Sequence, residues 1–135
     1  MPDHDMKFDH IGVFVTSLEL GRTHLAAILD IHEWTDPIDD PIQKVSVQFG
    51  LDSSGIRFEL VAPNGEGNPV TPVLGSGKNI LNHVAYTVPD LDKKLAELRA
   101  ARCMPLGPAQ PATAFDGRRI AFVLTPLRMI IELIE

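Results

Sequence analysis

Polar and apolar residues alternate along Phe8-Asp9-His10-Ile11-Gly12-Val13-Phe14-Val15, which puts Asp9, Ile11, Val13 and Val15 on one face of a strand. The period then lengthens. Ser17 is a suitable N-cap, and Leu18, Leu25, Ala26, Ile28 and Leu29 supply the apolar stripe of a helix ending near Leu29, with Gly21 as its weak point. A short strand is expected at residues 32–35, turns at Asp36-Pro37 and Asp39-Asp40-Pro41, and strands at 45–49 and 56–61, joined by the turn Asp52-Ser53-Ser54-Gly55. Residues 63–79 are rich in Gly, Pro, Asn and Ser and read as a linker with one helical turn near 70–74. The pattern then starts again, with a strand at 81–88 and an Asp90-capped helix carrying Leu91, Leu95, Leu98 and Arg102 down one side. A Pro-rich stretch at 105–112 leads to strands at 118–124 and 129–134.

The second half repeats the first at an offset of 73, the distance from His10 to His83. Val15 then matches Val88, Leu18 matches Leu91, Phe49 matches Phe122, and Glu59 matches Glu132, without a gap. Each half has the order β, α, weak β, β, β. The predicted fold is α+β: two tandem βαβββ modules, residues 1–63 and 80–135, linked by 64–79 in one structural domain. Together they form a curved mixed sheet around a concave metal site.

That site is predicted from four residues. One separation, 49 residues, takes His10 to Glu59 and His83 to Glu132. Each His lies in the first strand of its module and each Glu in the last. Alternation turns His10 away from Ile11 and Val13, Glu59 away from Phe58 and Leu60, and Glu132 away from Ile131 and Leu133. If the aliphatic faces pack on the helices, all four polar side chains share the other face. A carboxylate set among such neighbours is costly to bury alone, and a divalent cation removes that cost. Two imidazoles and two carboxylates suit Zn, Ni, Co, Mn or Fe(II) and leave room for water or substrate. His4, His24 and His32 read instead as terminal, surface or packing histidines, and Cys103 as a small apolar residue closing the second helix.

Composition narrows the classes. Hydrophobic residues make up 44% of the 135 and charged residues 22%, enough for a core and typical of soluble chains. A net charge of −6 argues against general nucleic-acid or anionic-membrane binding, although Arg118-Arg119 could line a locally basic pocket. The single cysteine allows no intrachain disulfide. There is no apolar run of membrane-spanning length, and Met1-Pro2-Asp3-His4-Asp5 does not read as a secretory signal, so the expected compartment is the cytoplasm. Open sheet edges favour pairing, and a homodimer is expected.

Several segments resemble the vicinal oxygen chelate superfamily, which includes glyoxalase I, methylmalonyl-CoA epimerase, extradiol dioxygenases and antibiotic-resistance proteins. Asp9-His10-Ile11-Gly12-Val13 resembles the opening strand of the epimerases. Phe58-Glu59-Leu60-Val61-Ala62-Pro63 resembles their central Glu or Gln strand. Asn82-His83-Val84-Ala85-Tyr86 with Val88-Pro89-Asp90-Leu91 is similar to their second His strand, and Ile131-Glu132-Leu133 to their closing strand. The resemblance implies one divalent metal on His10, Glu59, His83 and Glu132. It also implies proton transfer next to a carbonyl through a metal-stabilised enolate, with Glu132 or Glu59 as the base. Gln43 and Arg118, at repeat-related entries to the third strands, are candidate contacts for a carbonyl or acyl-thioester substrate. Two segments depart from relatives: Leu124-Thr125-Pro126-Leu127-Arg128 replaces an epimerase His-Pro-Lys, and the glyoxalase Asp-Pro-Asp-Gly turn is missing. The expected function is therefore a methylmalonyl-CoA epimerase-like isomerase. The alternatives are a glyoxalase I-like lactoylglutathione lyase and a non-catalytic small-ligand-binding protein of the resistance type.

Overall fold

In a computed structural model, residues 5–135 are described, and His4 lies outside them. The chain divides into two compact units: His10–Asn82, and His83–Glu135 together with the stretch up to Asp9. The fold is α+β. Among the described residues no helix is long and apolar enough to cross a membrane.

In the first unit the strands run in the order β2 (Ile38–Asp40), β3 (Val45–Leu51), β4 (Arg57–Pro63), β1 (Lys7–Phe14). β2 and β4 are antiparallel to β3, and β1 is parallel to β4, with Gly12 opposite Glu59. Helix α1 (Leu18–Leu29) begins where the Ser17 side chain accepts from the Leu20 N–H at 3.1 Å. Gly21 is the point of closest approach, since a Cβ there would lie 2.7 Å from Val15 Cγ1. The residue that lowers helix propensity is thus the one that lets the helix dock. Ile28 and Leu29, expected in the apolar stripe, remain exposed on the last turn, at 58% and 50%. Helix α2 (Val70–Ser76) extends the expected single turn, and Asn68 Oδ1 accepts from the Val70 and Thr71 N–H groups at its start.

Expectation and structure differ at the weak strand. Residue 32 makes only a single bridge to Leu51, and β2 forms at 38–40, where turns were expected. Its carboxylates explain the shift. Asp39 Oδ1 accepts from Ser46 Oγ across the hairpin, while Asp40 Oδ1 accepts from the Ile42 and Gln43 N–H groups. The turn is therefore delayed to the residues after Asp40.

In the second unit the order is β5 (Leu81–Thr87), β9 (Ile130–Ile134), β8 (Arg119–Leu124), β6 (Met104–Pro105), and β7 (Gln110–Pro111) also pairs with β8. Helix α3 (Leu91–Ala100) starts at Asp90, whose carboxylate accepts from the Lys93 N–H at 3.0 Å. Arg102 lies past the helix end with a left-handed backbone, φ 69°, so the apolar side of α3 stops at Leu98. Val88, Leu91, Ala121 and Leu133 form a buried core, with Tyr86, Leu95, Leu98 and Ile131 against it. Ile131 and Leu133 therefore face α3, and alternation turns Glu132 to the opposite face of β9.

The repeat survives as geometry. Ile11 pairs with Phe58 as Val84 pairs with Ile131, and Phe49 with Glu59 as Phe122 with Glu132. Val15 N–H donates to Val61 as Val88 N–H donates to Ile134, both at 2.9 Å.

Candidate metal centre

His10 is completely buried on β1, and its Nε2 lies 3.3 Å from Glu59 Oε1 on β4. The parallel register sets this up: Glu59 sits beside Gly12, one residue-pair along the strand from His10 on the same face. Phe49, opposite Glu59 on β3, meets the imidazole edge to face, with ring centroids 5.7 Å apart at 77°.

The second unit repeats each part. His83 on β5 places Nε2 3.2 Å from Glu132 Oε1 on β9, with 5% and 2% of the two residues exposed. Phe122, opposite Glu132 on β8, meets His83 edge to face at 5.3 Å and 81°. Each half thus holds one imidazole and one carboxylate against an aromatic wall.

The separations suit metal ligation. Bonds of ~2.1 Å at angles from square to tetrahedral put neighbouring ligand atoms ~3.0–3.4 Å apart. Among the described residues, His10, Glu59, His83 and Glu132, all buried, form a group that could hold a metal ion. The set of two nitrogens and two oxygens fits a divalent transition ion.

The family profile of the glyoxalase/bleomycin resistance protein/dioxygenase superfamily matches residues 9–122. The chain belongs to that superfamily. A curated member, the ethylmalonyl-CoA/methylmalonyl-CoA epimerase of Cereibacter sphaeroides, is 26% identical over 118 residues, covering 87% of each chain. Among solved structures of the same fold, a hypothetical protein from Bacillus halodurans superposes with a TM-score of 0.79. It is 22% identical, with 96% of this chain and 94% of that one covered. A Streptomyces coelicolor methylmalonyl-CoA epimerase variant in complex with 2-nitronate-propionyl-CoA superposes at 0.73. It is 23% identical, with 95% of both chains covered. The epimerase relative and the superfamily fold point to an enzyme.

The other candidates lie elsewhere in this superfamily member. Gln43 is half-buried in the turn after β2, with its N–H on Asp40. Arg118 is exposed after the left-handed residues Asp116 and Gly117, and its Nε donates to the Phe115 carbonyl at 3.3 Å. His24 and His32 are exposed, with His32 against Asp30, and Cys103 is buried after α3. Sequence reading paired Phe49 with Phe122 but did not see that both hold the histidine rings. It also passed over Arg57, whose guanidinium carbon lies 3.9 Å from the Phe49 ring centroid. The available signal was a mismatch: the repeat puts apolar Ile130 at the position matching Arg57.

Proposed function

We propose that the protein is a metal-dependent epimerase that moves a proton on the carbon next to the carbonyl of an acyl thioester. The reading is carried by the duplicated buried His–Glu pair, which gives each half the same nitrogen and oxygen donors at nearly the same separation. The name of the curated relative supports an acyl-CoA substrate.

His10, Glu59, His83 and Glu132 would hold one divalent ion. When bound, it supplies Lewis acidity that stabilises the negative charge developing on a carbonyl oxygen. Glu132 accepts the proton from the substrate carbon and returns it, as a carboxylate at the reacting centre can. Glu59 completes the donor set. Phe49 and Phe122 pack edge to face against the imidazoles and restrict their rotation. Gln43 and Arg118 are proposed as contacts to more distant parts of the substrate.

The deciding experiment combines metal analysis of the purified protein with NMR detection of solvent deuterium in methylmalonyl-CoA and ethylmalonyl-CoA. About one metal per chain and metal-dependent exchange are expected. Exchange only into a thiol hemithioacetal would replace this reading with a glyoxalase I-like one. Binding without exchange into any substrate would replace it with ligand sequestration.

A further inference from the structure

Of the four asparagines in the chain, Asn64 alone is followed by glycine. It lies in the first unit, where β4 gives way to the Gly-rich loop before α2. Its backbone N–H donates to the Lys44 carbonyl, and its side-chain amide donates to Ser46 Oγ, both at 3.0 Å. Ser46 Oγ in turn donates at 2.6 Å to Asp39 Oδ1, on the residue opposite it in β2. This chain of bonds ties the loop to the β2–β3 hairpin. Asn64 and Gly65 are both exposed, and among the described residues the Gly65 N–H has no hydrogen-bond partner. Gly65 has φ 112°, and without a side chain its nitrogen is open to approach. The other asparagines differ. Asn68 precedes Pro69, which has no N–H, and its amide is held by the Gly65 carbonyl and Thr71 Oγ1. Asn79 precedes the β-branched Ile80, and Asn82 lies within β5.

We infer that Asn64-Gly65 is a site of spontaneous covalent modification, at which water converts the amide to a carboxylate, that the Ser46 hydroxyl restrains the reaction, and that the product loosens β2. The Gly65 nitrogen gives its proton to water and adds to Asn64 Cγ. The new C–N bond closes a succinimide ring, the Cγ–Nδ2 bond breaks, and ammonia leaves with a proton regained from water. A second water opens the ring at either carbonyl, giving aspartate or isoaspartate. No oxidant or cofactor takes part, and the chemistry is independent of the epimerase reading. To be attacked, the amide must turn toward the Gly65 nitrogen, which breaks its bond to Ser46. The product carboxylate has no N–H to offer Ser46, whose single O–H is already given to Asp39. Asp39, Lys44 and Glu66 line one cleft with Asn64, so the new charge joins two carboxylates around one ammonium. The repulsion falls on β2, an edge strand of three residues.

The test ages the purified full chain at mildly alkaline pH and maps its peptides by mass spectrometry, with isoaspartate scored by enzymatic methylation. Conversion at Asn64 should outpace that at Asn68, Asn79 and Asn82. Ser46→Ala should speed it ~2–10-fold, the weight of one neutral hydrogen bond. Asp39→Ala loosens the same hairpin but leaves the Ser46 hydroxyl on the amide, so it should keep the wild-type rate. The variants are matched to wild type by circular dichroism. Asn64→Asp carries the charge of the product and should speed hydrogen–deuterium exchange across residues 38–40. Conversion at Asn64 no faster than at the other asparagines would overturn the site. A wild-type rate in Ser46→Ala, or equal acceleration in Asp39→Ala, would overturn the role of Ser46. Unchanged exchange in Asn64→Asp would overturn the effect on β2.

Discussion

Glu59 and Glu132 occupy repeat-related positions, each beside a histidine and opposite a phenylalanine, yet their surroundings differ by one charge. Arg57 shares a strand face with Glu59, whereas Ile130 stands in the matching place beside Glu132. Glu132→Gln keeps the shape and an oxygen donor but removes most of the basicity. Solvent-deuterium incorporation should fall by ~10²–10⁴-fold, the usual contribution of a general base. Glu59→Gln should lose less. If Glu59→Gln is crippled and Glu132→Gln exchanges normally, the roles are reversed. At this scale the sequence was informative where residue type and spacing recurred together, as for the histidines and glutamates. It was uninformative for Arg57, because a lone arginine in a strand has no pattern to mark it until the ring beneath it is known.

Among elements, the repeat-related helices α1 and α3 are begun by equivalent side chains, Ser17 and Asp90, each accepting an N–H of the first turn. Asp90→Ala should destabilise the protein by ~1 kcal/mol, the typical loss for an N-cap, measured by urea denaturation. Helix α3 has a second tether that α1 does not repeat. Glu135 accepts from the Leu91 N–H and from Arg119, and Arg119 also reaches Asp92, which ties the ends of β8 and β9 to the start of the helix. The Arg119 hydrogen bonds, and then the Leu91 N–H, hold the Glu135 carboxyl below its ordinary range. Because the folded-state value is the lower one, the stabilisation is complete above the ordinary carboxylate pKa and is lost as pH falls through the folded value. Thermal melting points of wild type and Arg119→Met should thus differ near neutrality and converge in acid. A gap that persists unchanged at low pH would show that Arg119 acts through packing alone. The tethers are exposed to solvent, so the difference should also shrink in salt.

At the scale of the whole molecule, four buried candidate ligands make metal and stability one question. Carboxylates as buried as Glu59 and Glu132 favour the folded state only when their charge is answered, and a cation that binds the folded chain alone stabilises it by mass action. At free metal one hundred times Kd this amounts to ~2.7 kcal/mol. Chelation should lower the melting temperature by several degrees, and the ion should restore it. An unchanged melting curve after verified metal removal would count against ligation by these residues. The sequence by itself determined the duplication, the α+β class, the caps of α1 and α3 and the strand faces of the histidines and glutamates. These follow from local periodicity and from a repeat that keeps its register over every element. It could not determine where β2 would form, because Asp39 and Asp40 read as turn-formers until Ser46 and the following N–H groups are in reach. Nor could it show that Gly21 is a docking point rather than a defect, since that depends on Val15 meeting the helix backbone. The placement of Arg57 over Phe49, and of each phenylalanine against its histidine, was also decided only by the tertiary structure. Those contacts join residues on different strands, and no pattern along one strand records its neighbour.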